Sequence, residues 1–445
     1  NILILLDSSA SMKETISGVN DAIELPRDVI ELSDGNIIVS QDSGGLIKFL
    51  TSTGEKDDSF AGGNVNFMGS TSDPNCGNQD SLISAGRGHN NLTFGVSSNV
   101  LGHDGEIVFV AEEDTGTGKV IAIDTSGKCV DVIDHDELGV DSGKGFSPEA
   151  LTIKTIAGED HLFVSGGYDH GSGDKGHFFS KNLTSGKTTS CNIENNDSVF
   201  RATHSITVDG GTFIYAVKSG KIFKYQLEKI DDGSGGITYC PITVRAVNHA
   251  AGGLNREYYY LYNYDNSCSS VTKPCKGHQI DIDPDDSSIM YLTGFADHLF
   301  QKLKITDTSL NPIKNKGTYG KENTVSDDKV NFYVPVGIHV TSTSIWVTDK
   351  KPSVQRFNKN DDLTWLSTFG GKGRRIDGAI SAIKAVVTDT SFTSSANFGY
   401  GYWNSGIGTD PNRHASGEGG QHCHSNHCDY FHGWDSVNER SQLCN

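Results

Sequence analysis

Three groups of residues in this chain have types and spacings that could do chemistry. The opening run NILILLDSSASM places Asp7, Ser9 and Ser11 at alternate positions just past the apolar stretch Ile2 to Leu6. One carboxylate and two hydroxyls arranged this way can converge on a hard divalent cation such as Mg²⁺ or Ca²⁺. A second group is His204, His278 and His339, in THSI, GHQI and IHVT, each just inside an apolar segment. If those segments are equivalent, the three imidazoles could ring a common channel and serve acid–base chemistry. The third group lies in the tail HASGEGGQHCHSNHCDYFHGWD, with His422, Cys423, His424, His427 and Cys428. It reads as a disulfide loop between Cys423 and Cys428, with a zinc or copper site as the alternative. No G-x-S-x-G, H-E-x-x-H or phosphate-loop sequence is present.

The elements that would position these residues are short strands and tight turns. Glycine is abundant at 52 residues and proline sparse at 10. From about residue 23 onward one pattern recurs: an apolar strand, an Asp/Gly turn, a second apolar strand, a polar turn and a third strand. The clearest copy is Leu25 to Glu55, and its best match is Val334 to Leu363, with Pro26 and Pro335 each preceding a first strand. Weaker copies run from Asn91 to Gly127, Phe146 to Gly186, Ala202 to Tyr225 and Gly277 to Ile305. Period-two alternation, as in Ile37-Val39 and Phe213-Tyr215, buries one face of each sheet against a neighbour, so several sheets must stack in a ring. Near the far end, Ile376, Ala379, Ile380, Ile383, Val386 and Val387 repeat at helical spacing, and a strand follows in ANFGYGYW.

These patterns resemble two families. The six copies are similar to NHL-type β-propellers. The apolar strand followed by Asp7-x-Ser9-x-Ser11 resembles the metal-ion-dependent adhesion site of von Willebrand factor A domains, with the amphipathic helix and second strand displaced to residues 376–403. The later ligands of that family site, a Thr and a second Asp, have no place in this sequence. The expected fold is therefore mainly β. It is a six-bladed β-propeller with a smaller, discontinuous α/β domain of von Willebrand factor A type. Residues 1–20 and 372–445 would form that domain, and residues 21–371 the propeller. The pairing of the two units resembles the pilus-tip adhesins of type IV pili.

Composition narrows the function. The formal net charge of −19 argues against nucleic acid and anionic membrane surfaces. No apolar run is long enough to span a bilayer. Nine cysteines in turn-rich sequence point to disulfides in an oxidising, extracellular or cell-surface setting, with Cys268 and Cys275 as the best local pair. Asn91, Asn182 and Asn196 stand in N-x-[ST] sequons. Asp281, Asp283, Asp285 and Asp286 lack the Gly and Glu of a calcium loop and read as a turn. The resulting expectation is a non-enzymatic adhesion or surface-assembly protein that binds a protein or glycan partner, with a divalent cation at Asp7, Ser9 and Ser11. The alternatives are an oxidoreductase or lyase in the propeller channel at His204, His278 and His339, and a structural subunit of a pilus or other extracellular filament.

Overall fold

In the computed structural model the chain divides into two compact units, residues Ile23–Gly371 and the pair of segments Asn1–Ala22 with Lys372–Asn445. The described residues are 2–7, 23, 25–41, 45–63, 94–112, 118–133, 137, 146–168, 175–191, 200, 203–218, 220–231, 233, 235–242, 259–260, 277–294, 298–306, 309–317, 332–350, 353–370, 398–404, 420–424 and 427–433.

The larger unit contains six antiparallel sheets, each built on four strands consecutive in sequence, with a short fifth strand, Tyr259–Tyr260, added to the fourth sheet. Blade 1 comprises Pro26–Glu31, Ile37–Gln41, Leu46–Leu50 and Glu55–Lys56. Blade 2 comprises Phe94–Ser97, Ile107–Glu112, Lys119–Asp124 and Cys129–Ile133. Blade 3 has Phe146–Ile156, Glu159–Tyr168, Lys175–Asn182 and Thr188–Cys191, and blade 4 has Ser205–Val208, Phe213–Lys218, Lys221–Ile230 and Thr238–Ile242. Blade 5 has Gly277–Ile282, Ile289–Gly294, Leu299–Ile305 and Leu310–Gly317, and blade 6 has Pro335–Val340, Ser344–Asp349, Ser353–Asn358 and Trp365–Phe369. The first strand of each blade touches that of the next, and the first strand of blade 6 touches that of blade 1, which closes the ring. This is a six-bladed β-propeller.

Side-chain alternation explains why the sheets stack. In Ile107–Glu112 of blade 2, Val108 and Val110 pack toward blade 1, while Ile107, Phe109 and Ala111 pack toward blade 3. A separate apolar cluster fills every junction between neighbouring blades, including that between the last and the first. At this last junction Trp346 and Phe369 of blade 6 pack with Val39, Ile47 and Phe49 of blade 1. Among the described residues no strand is exchanged between blades 6 and 1. Packing and hydrogen bonds therefore hold the seam. Trp346 Nε1 donates to Glu31 Oε2 at 2.5 Å, and Thr348 Oγ1 donates to the Arg27 carbonyl at 3.0 Å. Gly337 lies against this seam, where a Cβ would stand 2.4 Å from the Arg27 oxygen and 2.8 Å from Asp28 Cα.

Each blade has one strand more than the three-strand pattern read from the sequence. The added outermost strands are half-exposed, as in Trp365–Phe369 and Thr188–Cys191. One disulfide, Cys191–Cys240, joins the outermost strands of blades 3 and 4, with its Cα atoms 5.5 Å apart. Cys129 is also disulfide-bonded. Cys268 and Cys275, together with Asn91 and Asn196, lie outside the described residues.

The smaller unit holds one sheet of four strands, in the order Ile2–Asp7, Phe398–Asn404, His427–Gly433, Gly420–His424. Ile2–Asp7 and Phe398–Asn404 run parallel, with Ile2 opposite Phe398 and Asp7 opposite Trp403, so the two ends of the chain share a sheet. The helix expected over residues 376–387 lies outside the described residues. No helix occurs among the described residues of this unit, and the structure shows only its β-sheet. Among the described residues no helix is long and apolar enough to cross a membrane.

Candidate functional site

The first strands of the blades surround a cavity of about 170 Å³. Its ionisable lining consists of Asp28 from blade 1, Lys154 from blade 3, Asp281 from blade 5 and His339 from blade 6. Ser205, Thr207 and Gln279 add hydroxyl and amide groups, and aliphatic side chains such as Val29, Ile153 and Ile338 supply the rest.

A bulge near the start of the first strand sets what faces the cavity. In blade 5 Gly277 pairs with Gly294 and Ile280 with Leu292; in blade 6 Pro335 pairs with Asp349 and Ile338 with Val347. The extra residue is accommodated identically in both strands. Asp281 therefore occupies the position of His339, and His278 that of Val336. The equivalence expected among His204, His278 and His339 is corrected accordingly. His204 and His278 do come together, their rings stacked with centroids 5.1 Å apart. Neither lines the cavity, whereas His339 does. Burial first, then the charges of His204 and Arg27, pushes the His278 imidazole down to about 3, so it stays neutral.

In blades 1, 4 and 5 one side chain of the first strand also clips the blade to the next. Asp28 Oδ2 accepts the Phe94 amide at 3.0 Å, Ser205 Oγ accepts the Ile280 amide at 3.2 Å, and Gln279 Oε1 accepts the Ile338 amide at 2.9 Å. Asp28 Oδ1 also accepts the Val29 amide at 2.9 Å. Burial dominates at Asp28, overriding these hydrogen bonds and the nearby His339, and raises its carboxyl to about 7. It is thus poised to lose or gain a proton near neutrality.

His339 Nδ1 lies 3.5 Å from Asp281 Oδ2, with both side chains about a quarter exposed. Asp281 is itself held by the Val340 amide at 2.8 Å on Oδ2 and by Thr207 Oγ1 at 3.4 Å on Oδ1. Burial would lower the His339 imidazolium, but the Asp281 carboxylate, with Asp28 and Glu31 beyond it, outweighs burial and raises it. With the Ile282 amide at 2.8 Å on Oδ1 as a third donor, the pair is an oriented acid–base couple: a carboxylate fixed by three donors holds an imidazole in a cavity open to solvent.

Asp28, Lys154 and Asp281 were not among the site residues drawn from the sequence. Asp281 had a usable signal, because aligning GHQIDI with PVGIHV from Gly277 and Pro335 sets it over His339. Asp28 and Lys154 had none, since each is an ordinary charged residue within an apolar strand. Asp283 and Asp285 form the expected turn and receive the Lys359 ammonium of blade 6.

The other candidates fall as follows. Asp7 ends the strand Ile2–Asp7, while Ser9 and Ser11 lie outside the described residues. In the tail, Cys423 pairs with Cys428 and His424 with His427 across a hairpin, with His422 opposite Asp429. Among the described residues no group of three or more His, Cys, Asp or Glu gathers as a metal site. Asn182 is fully buried, its Nδ2 donating to Glu159 Oε2 at 2.8 Å and to the Ile237 carbonyl at 2.9 Å. Its sequon cannot accept a glycan in the folded protein.

No family model matches the chain, and no curated protein matches it. Solved structures similar to it include the PQQ-bound aldose sugar dehydrogenase of Streptomyces coelicolor, at 11% identity, covering 76% of this chain and 92% of that one, with a TM-score of 0.45. A putative glucose dehydrogenase of Thermus thermophilus matches at 12% identity over 78% and 94% of the two chains, with a TM-score of 0.40. A putative 6-phosphogluconolactonase of Bacteroides uniformis matches at 12% identity over 78% and 82%, with a TM-score of 0.33. These three neighbours carry enzyme names, against the expectation of a non-enzyme, while the likeness at 11–12% identity shows the β-propeller fold alone.

Proposed function

We propose that the propeller is an enzyme, an oxidoreductase or a lyase, whose active site is the central cavity. The observation that carries this reading is the His339–Asp281 couple, which projects into that cavity beside the near-neutral carboxyl of Asp28. In a lyase reaction, the neutral imidazole of His339 would take a proton from carbon. The imidazolium would then return it to a departing hydroxyl, so that a C=C bond forms and water leaves. In an oxidoreductase reaction, His339 would take the hydroxyl proton of an alcohol while the carbon hydrogen leaves as hydride to a two-electron acceptor of the quinone class, which takes up the proton and becomes the hydroquinone as the alcohol becomes the carbonyl. Asp281 fixes the ring orientation in both cases and stabilises the imidazolium as it forms. The buried Cys191–Cys240 disulfide supports an oxidising compartment.

The test is a turnover screen of small alcohols, aldehydes and hydroxy acids, run with and without a dye that accepts electrons. Turnover that needs the dye marks the oxidoreductase, and dye-independent turnover marks the lyase. His339→Gln should lower kcat by roughly 10²–10⁴-fold with the fold intact. Absence of turnover with every compound, or turnover unchanged in His339→Gln, overturns the proposal.

A further inference from the structure

We infer that the central cavity takes a small monocarboxylate, a hydroxy or keto acid, whose acid group pairs with Lys154. The inference deepens the active-site reading above and rests on it. It comes from the charge balance of the lining. Of the four ionisable side chains there, His339 and Asp281 offset each other across 3.5 Å. Asp28 spends both oxygens on the amides of Val29 and Phe94, and it is almost wholly buried. Lys154 remains. It is half-buried near the end of Phe146–Ile156, and no ion-pair or hydrogen-bond partner for its ammonium occurs among the described residues. Among the described residues, the cavity lining of this protein of net charge −19 therefore includes a cation with no counter-charge. An ammonium partly withdrawn from water favours an anionic partner that restores its lost solvation.

Size limits the ligand further. The cavity of about 170 Å³ is comparable to the ~150 Å³ engineered cavity that holds benzene, so a ligand of about six to ten heavy atoms fills it. Thr152 and Thr207 also line the space, and the Thr207 hydroxyl, which donates to Asp281 Oδ1, keeps lone pairs for a donor on the ligand. A carboxylate at Lys154 would leave the carbon beside it toward the cavity that His339 also lines.

Glycerate and its neutral isostere glyceramide form the probe pair, titrated into the full chain by calorimetry. The expected result is binding of glycerate at least roughly tenfold tighter than glyceramide, with the difference abolished in Lys154→Met and kept in Lys154→Arg. Equal binding of acid and amide, no binding of either, or a preference that persists in Lys154→Met overturns the inference. Binding is read without turnover, so the two proposals fail separately. A neutral substrate turned over through His339 sinks only the carboxylate assignment. Lys154-dependent glycerate binding without any His339-dependent turnover sinks only the enzyme reading.

Discussion

Replacing Asp28 with Asn should make the stability of this protein cross that of the wild type as pH rises. The carboxyl is buried and its pKa is raised from 3.8 to about 7. Between those values the folded state holds a proton that the unfolded chain has released. Stability contributed by this group is therefore fully present below pH 3.8 and is lost as pH rises through about 7. A shift of about three units corresponds to roughly 4 kcal/mol over the whole window. Asn escapes that loss, but its amide nitrogen must face the amide N–H of either Val29 or Phe94, so one of the two hydrogen bonds is forfeited. A lost buried hydrogen bond costs about 1–3 kcal/mol. Asp28→Asn should thus be less stable than wild type near pH 4 and more stable, by about 1–3 kcal/mol, near pH 7.5. Urea unfolding of both proteins at pH 4.5, 5.5, 6.5 and 7.5, followed by tryptophan fluorescence, gives the difference for Asp28 together with the His339 charge it is coupled to, with contributions of remote groups cancelling. A stability gap that stays constant from pH 4.5 to 7.5 refutes the reasoning.

Four further outcomes follow from other parts of the ring. Gly337→Ala should destabilise the seam by at least ~2–3 kcal/mol, seen as a lowered Tm, because its Cβ would meet the Arg27 oxygen and Asp28 Cα. His161 is buried in a T-shaped contact with Tyr239, and neither ring nitrogen has a hydrogen-bond partner among the described residues. Burial, against the charges of Glu159 and Asp160, lowers its pKa, so stability falls as pH drops below the unfolded value of 6.5; His161→Phe should melt higher than wild type, and by a margin that widens from pH 7 to pH 5. Breaking the Cys191–Cys240 bridge, which closes a sequence separation of 49 residues, by the double change to Ala should cost about 3–4 kcal/mol in denaturant unfolding. Finally, mass spectrometry of the protein made in a glycosylating host should find Asn182 unmodified, since its side chain is locked between Glu159 and Ile237.

The ring of blades was legible because burial on both faces makes the second strands short, near-continuous apolar runs. Ile37–Gln41 and Ile289–Gly294 are buried throughout, and each stands out between turn residues. The outermost strands were not legible. Trp365–Phe369 alternates half-buried and exposed positions, and Thr188–Cys191 has one fully buried residue, so neither carries an apolar run. The site was half legible. His339 was found, but it was grouped with His204 and His278 because all three follow similar local sequence. The same bulge occurs in both strands, with His278 inside it and His339 beyond it, and a bulge is a backbone event that composition does not mark. Asp28 shows the other obstacle: one side chain both clips two blades together and lines the cavity, and only the ring geometry reveals the second role.

The claim on which the active-site account depends is that Asp281 holds and charges His339 inside the cavity. Titration of the His339 ring by ¹H–¹⁵N NMR, in wild type and in Asp281→Asn, tests it without knowledge of the substrate. The account expects His339 to titrate above the ordinary histidine value in wild type and to fall markedly once the carboxylate is gone, because burial is then opposed only by the more distant Asp28 and Glu31. A His339 that titrates at or below the ordinary value in wild type, or that does not move in Asp281→Asn, would contradict it.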